Sequence, residues 1–315
     1  MPLPLLRHST GHAVVDTRLQ GLVAIFEALF PQRIRAYYVE GSYADQSAVT
    51  TSDLDIMLLF REHFVSATER EQAEQLVAAC TALSSLELYI AVMDEAATAQ
   101  GISPTLKHGS VCFYGADTRD QMPLLPIEEW SRQRMHAAFW LINKVFKRPP
   151  VVQLPLTYPD PRVHYYGYTE RTVRLPEGTT VPSTRDFIRV SGWAATALLA
   201  WQVGIYVPYK RECHSLYRRH IGDEWSEFLA DVYRYCRTEW HYLLPATPDD
   251  QERLRELCTR MLAWENHFVA CYKRFVLAQL ASGDEQAQFH AIRFLTMLPF
   301  DDTEIKAALQ ACDVQ

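Results

Sequence analysis

Asp53 and Asp55 stand two residues apart, and ten residues separate them from the pair Gly41-Ser42. Leu54, Ile56 and Leu58 alternate with Asp53, Asp55 and Met57. In a strand, that period of two turns both carboxylates to one face and the apolar residues to the other. Ile34 to Val39 is a β-rich apolar run that ends at the Gly41-Ser42 turn. A glycine there lets the backbone approach a bulky anion, and a serine adds a hydroxyl donor for a phosphate oxygen. Two carboxylates beside a phosphate-sized turn suit a hard divalent cation. Mg²⁺ takes oxygen ligands and commonly bridges one or two carboxylates to a substrate phosphate.

Elements that would position these residues follow from periodicity. Apolar residues at Leu19, Leu22, Val23, Phe26 and Leu29 predict a helix over 16–30, with Asp16 as its N-cap. Strands are predicted over 34–39, 54–60, 86–92 and 111–114, and a second amphipathic helix over 68–83. The order is α-β-β-α-β-β. Pro123 and Pro126 close this part. A long helix over 127–147 follows and ends at Pro149-Pro150. Residues 151–184 are rich in proline and tyrosine and read as an ordered irregular insertion, with a hairpin over 171–181. Helices are then predicted from Ser183 or Thr184 to Gly204, and over 209–220, 223–242, 249–280, 284–297 and 302–311.

The Gly-Ser turn, the spacing and the Asp-x-Asp strand resemble the signature of the nucleotidyltransferase superfamily, whose fold is shared with DNA polymerase beta. That resemblance implies a third carboxylate on a later strand, and Glu87, the one acid in Ser85–Val92, is the candidate. It would act either as the base that takes the acceptor proton or as a ligand to a second metal. Leu106 to Gly115, a short helix leading to an apolar strand that ends in Tyr-Gly, resembles the aminoglycoside adenylyltransferase branch. So does Trp201 to Lys210, an apolar helix, a glycine stop and a lysine. In that branch the lysine reaches the nucleotide phosphates, which implies the same role for Lys210. The Arg-x-x-Tyr motif of those relatives is Arg237-Thr-Glu-Trp240 here. Tryptophan keeps a stacking face and changes the polar tip.

The fold class expected is α+β: a small mixed-sheet nucleotidyltransferase core over 1–125, then an all-helical domain over 126–315 with the insertion at about 150–184. Two domains also suit 315 residues at roughly 150 per domain. Residues 1–125 hold 8 Lys and Arg against 15 Asp and Glu, so the whole net charge of −7 lies in the part with the paired acids. That part has no basic track for a phosphate backbone, which argues against a nucleic-acid substrate and suits a cationic acceptor. No run of apolar residues is long enough to span a bilayer. The N-terminal stretch lacks a basic start and reads as no signal peptide. Seven cysteines, none in a Cys-x-x-Cys spacing, suit reduced thiols in a cytoplasm. Phosphate-loop and dinucleotide-binding glycine motifs do not occur. His8 and His12 carry helical metal-pair spacing, but Ser9-Thr10-Gly11 between them opposes a helix.

Together these readings imply transfer of AMP from ATP to a hydroxyl of a small-molecule acceptor, aminoglycoside-like, with Mg²⁺ as cofactor. Asp53 and Asp55 would hold the metal, Gly41, Ser42 and Lys210 the nucleotide, and Glu87 would do the acid–base or metal work. The alternatives are an enzyme that adenylylates a protein, as small nucleotidyltransferase antitoxins do, and a non-catalytic nucleotide-binding module.

Overall fold

A computed structural model describes residues 3–175 and 177–312. Met1 and Pro2 of the N-terminal stretch, and Pro176 of the insertion, lie outside them. The fold is α+β, a small mixed sheet followed by a helical C-terminal region. The chain divides into two compact units. The first runs to Pro126 and takes in Arg174–Thr180 and Val207–Lys210; the second comprises Ile127–Val173, Val181–Tyr206 and the chain from Arg211 onward.

The first unit is built on four strands: β1 (Ile34–Glu40), β2 (Leu54–Phe60), β3 (Leu88–Asp94) and β4 (Val111–Gly115). Their order is β3-β2-β1-β4. β1 is antiparallel to both β2 and β4, while β2 and β3 run parallel. Alternation sorts the strand residues into two layers. Tyr37, Val39, Ile56 and Leu58 pack in one core with Leu19, Leu22, Val23 and Phe26 of α1 (Ala13–Leu29). That core also receives Ala73, Leu76 and Val77 of α2 (Ala67–Leu83). Ala36, Tyr38 and Leu59 face the other way, against Ile102 and Leu106. Two short helices, α3 (Glu95–Thr98) and α4 (Pro104–Gly109), fill the connection from β3 to β4. The parallel pair β2–β3 needs a crossover, which α2 supplies, whereas β1 and β2 are joined by the loop that carries the Gly-Ser turn.

Three of the predicted element starts in this unit move. α1 begins at Ala13, so Asp16 lies in its first turn and His12 takes the N-cap position. The Asp16 carboxylate instead folds back and accepts from the Thr10 N–H at 2.9 Å, the Ser9 hydroxyl at 2.6 Å and the Thr10 hydroxyl at 2.8 Å. It fastens the turn before the helix rather than the helix end. α2 starts one residue early, capped by the Ser66 hydroxyl, which accepts from the Glu69 N–H at 3.1 Å. β3 starts at Leu88, so Glu87 precedes the strand, although its carbonyl still accepts from the Leu54 N–H at 2.9 Å.

The second unit holds α5 (Ile127–Val145), α6 (Arg185–Val203), α7 (Cys213–His220), α8 (Trp225–Val232), α9 (Pro248–Leu280), α10 (Glu285–Met297) and α11 (Thr303–Cys312). The hairpin expected over 171–181 is present as β5 (Thr172–Arg174) and β6 (Thr180–Pro182). α6 stops at Gly204, whose φ of 66° caps it in the left-handed conformation. The single helix predicted over 223–242 is two segments, because Tyr233–Glu239 widens into a π-helix after α8. α9 is the core of the unit: Trp264, Phe268 and Tyr272 are fully buried, and Tyr272 stacks on Phe139 of α5 at 3.9 Å. Glu265 is buried beside them. Its Oε2 accepts from the Arg148 guanidinium and the Tyr168 hydroxyl, both at 2.6 Å. All seven cysteines are free thiols. No helix among the described residues is long and apolar enough to cross a membrane.

Candidate active site

The antiparallel register of β1 and β2 sets Glu40 directly opposite Asp55. Gly41 follows with φ 67°, in the left-handed region that residues with a Cβ rarely occupy. The space is as demanding as the torsion, since a Cβ there would stand 2.9 Å from Asp55 Oδ2. Gly41–Tyr43 form a single 3₁₀ turn that carries Ser42, whose carbonyl accepts from the Ser47 N–H at 2.9 Å. The Asp45 carboxylate accepts from the Ser47 N–H and hydroxyl and tightens the same loop. The return to β2 is fixed by Ser52, 1 % exposed, whose hydroxyl accepts from the Val49 N–H at 2.9 Å. Asp53 comes next, at the mouth of β2. Leu54 and Ile56 are buried and Asp55 between them is half-buried, the alternation of a strand with one covered face.

Lys210 arrives from far along the chain. Its Nζ donates to Asp55 Oδ2 at 3.4 Å. Two contacts hold the segment Val207–Lys210 in place. The Tyr209 hydroxyl donates to the His108 carbonyl at 2.7 Å, and Gly109 leaves room for the Pro208 carbonyl, which would lie 2.4 Å from any Cβ at that position. Gly109 is therefore required by close backbone approach.

The electrostatics of this group are those of crowded carboxylates beside one ammonium. Burial, and then the Asp55 charge, push the Glu40 carboxyl up to about 7, while Lys210 acts in the opposite direction. For Lys210, burial opposes the charge, but Asp55, Asp53 and Glu40 outweigh it and raise its pKa. The Lys210 side chain remains 64 % exposed, so its pair with Asp55 is screened by solvent and is worth at most about 1 kcal/mol. Its contribution is placement of charge more than stability.

Glu87 sits one position before β3, and the parallel register pairs Leu54 with Leu88 and Asp55 with Tyr89. It is thus the neighbour of Asp53 across the ladder, and it is exposed. Among the described residues, no three His, Cys, Asp or Glu side chains are grouped as a set that could hold a metal ion. His12 packs edge-on against Tyr43 at 5.4 Å. Glu40 was missed by the sequence reading. Its signal was its place immediately before Gly41, because an antiparallel return through a tight loop puts the residue before the turn opposite the second aspartate. Neither of two cavities in the first unit includes the acids. One, of about 480 Å³, lies between Glu27, Arg35, Arg61 and Tyr114; the other, of about 160 Å³, between Ser9, Val39, Tyr43 and Phe113.

No family model matches the chain, and no curated protein matches it in sequence. Among solved structures, the chain is similar to spectinomycin adenyltransferase AAD(9) from Enterococcus faecialis, crystallised with ATP and spectinomycin. That likeness has a TM-score of 0.47 and 13 % identity, and covers 79 % of this chain and 98 % of that one. At that level it carries no weight in the assignment of the site.

Proposed function

We propose that this chain is a nucleotidyltransferase that moves AMP from ATP to a hydroxyl of a small-molecule acceptor. The observation that supports it most is the group formed by Asp55, Glu40, Gly41 and Lys210 at one end of the β1–β2 ladder. A left-handed glycine turn, paired acids and a mobile-stemmed ammonium are the parts needed to receive a triphosphate with its counter-cation.

The residues fit Mg²⁺ by two observations. The donor set is carboxylate oxygen, and Asp55 Oδ2 borders, at 2.9 Å, the space that a Cβ at position 41 would fill. Asp53 and Asp55 would be its protein ligands, which suits a hard cation that takes oxygen donors and shares them with substrate phosphate. Bound there, the cation would neutralise charge on the α-phosphate and on departing pyrophosphate. Ser42 and the turn at Gly41 hold the phosphates, and Lys210 adds positive charge as pyrophosphate leaves. The acceptor oxygen forms a bond to the α-phosphorus while the bond from that phosphorus to the bridging oxygen breaks. The acceptor proton passes to Glu87, which acts as general base. The acidity of residues 1–125 suits an acceptor that carries amines, aminoglycoside-like in chemistry.

A pyrophosphate-release assay with ATP, Mg²⁺ and a panel of hydroxylated cationic small molecules tests the reading. At least one acceptor should give release in the wild type, and Asp53→Asn and Asp55→Asn should each abolish it without loss of fold. Release that persists in either variant removes the assigned site. Failure of every acceptor, together with no Mg²⁺-dependent ATP binding, removes the activity.

A further inference from the structure

The larger of these two cavities lies at the opposite end of β1 from the Gly-Ser turn. Arg35 and Glu40 are five residues apart on one strand, a separation of about 17 Å. The walls are Glu27 near the end of α1, Gln32, Ile34 and Arg35 at the start of β1, Arg61 just past β2, and Tyr114 and Gly115 at the end of β4. Its volume of about 480 Å³ is that of a small-molecule site.

The charges around it are unevenly satisfied. Arg35 Nε donates to Glu95 Oε1 at 2.7 Å, and Glu95 also accepts from the Glu62 N–H at 2.7 Å. Glu95 is therefore fully engaged. Glu27 accepts from the Tyr37 hydroxyl at 3.0 Å, and burial raises its carboxyl above the usual range. Arg61 differs. Its Nε is buried with no hydrogen-bond partner, and Glu27 and Glu95 act on it only through space. A guanidinium brought into a cleft without a hydrogen-bonded counterion costs folding free energy. The same fork geometry matches carboxylate and phosphate oxygens. Tyr114 and Ile34 supply an apolar wall beside it.

We propose that this cavity binds a small organic oxyanion, a carboxylate or phosphate, held by Arg61 with Arg35 behind it and packed against Tyr114. The site is separate from the proposed nucleotide site and does not depend on that reading. Isothermal titration with phenyl phosphate and with benzoate tests it on the full chain. One of the two should bind, and the tighter one assigns the phosphate or the carboxylate class. Arg61→Gln should weaken that binding by at least tenfold. Glu27→Gln, which removes a carboxylate from the wall, should tighten it a few fold, and Lys210→Ala should leave it unchanged. No binding of either probe at millimolar concentration, full affinity in Arg61→Gln, or loss in Lys210→Ala overturns the proposal. Should Arg61→Gln fail to fold, the amide shifts of Gln32, Tyr114 and Gly115 in the wild type decide. They move on titration if the site is there, and stationary signals sink it.

Discussion

Gly41→Ala probes the geometry on which the candidate site rests. Two separable costs attach to it. The backbone at φ 67° is left-handed, which costs a residue with a Cβ about 1–2 kcal/mol. The added Cβ also meets Asp55 Oδ2 at 2.9 Å, a separation that Cβ atoms essentially never show, so the carboxylate must turn away. Contacting residues of this kind couple by about 0.5 kcal/mol or more. Gly41→Ala alone should therefore destabilise the β1–β2 ladder by roughly 2 kcal/mol. In an Asp55→Ala background the obstructing oxygen is gone, and the cost should drop to the torsional part of about 1–2 kcal/mol. Asp55→Ala itself should be near neutral, since it removes a screened pair with Lys210 and also the repulsion that adds to burial in raising the Glu40 carboxyl. Hydrogen exchange at the Val39 and Ile56 amides, which face each other across the ladder, reads the opening free energy in all four proteins. The same loss from Gly41→Ala in both backgrounds would refute the close approach of Gly41 to Asp55. No loss in either would refute the left-handed turn. Under the proposed function, Gly41→Ala should also depress pyrophosphate release, because the displaced carboxylate is a proposed metal ligand.

Three further outcomes are expected. Glu87→Gln should keep Mg²⁺ and ATP binding and lose on the order of 10²–10⁴-fold in rate if Glu87 is the base; weakened ATP binding would make it a metal ligand, and an unchanged rate would remove it from the site. Gly109→Val should push the Pro208 carbonyl outward and carry Lys210 away from Asp55, raising the KM for ATP while circular dichroism stays native; an unaltered KM would show that the segment does not position Lys210. His136, in α5, is pushed down to about 4 by burial, helped by the charges of His290 and Arg132, with its Nδ1 sharing a 2.9 Å hydrogen bond with Tyr272. The unfolded chain then binds more protons than the folded one between pH 6.5 and 4, so stability should fall by about 3 kcal/mol as pH drops through that window. Urea denaturation at pH 7 and pH 4 should show this loss in the wild type and a smaller one in His136→Gln; an equal loss in both would place the acid sensitivity elsewhere.

Local pattern determined much of this protein. The two-residue period of Leu54 to Leu58 announced the strand and set Asp55 opposite in facing to Leu54 and Ile56, because side-chain direction in a strand is a property of the backbone itself. The apolar spacing of α1, α2 and α9 announced helices for the same reason, and Gly204 marked a helix end because a left-handed cap favours glycine. Where the sequence reading slipped, a neighbour outside the local window decided. Asp16 looked like a cap, yet it serves the Ser9–Thr10 turn, since the helix had room to begin three residues earlier. The run 223–242 was read as one helix, yet Tyr233–Glu239 is a π-helix that follows α8. Glu40 belongs to this second class as well, and the meeting of Lys210 with Asp55 is likewise tertiary, although the resemblance to a known family had already named Lys210. Glu40 joins the acids only through the register of β1 on β2. Lys210 is 155 residues from Asp55 in sequence and reaches it because Gly109 lets the backbone at Pro208 come close. Periodicity is encoded residue by residue, whereas the meeting of distant charges depends on which backbones can touch, and only the folded chain fixes that.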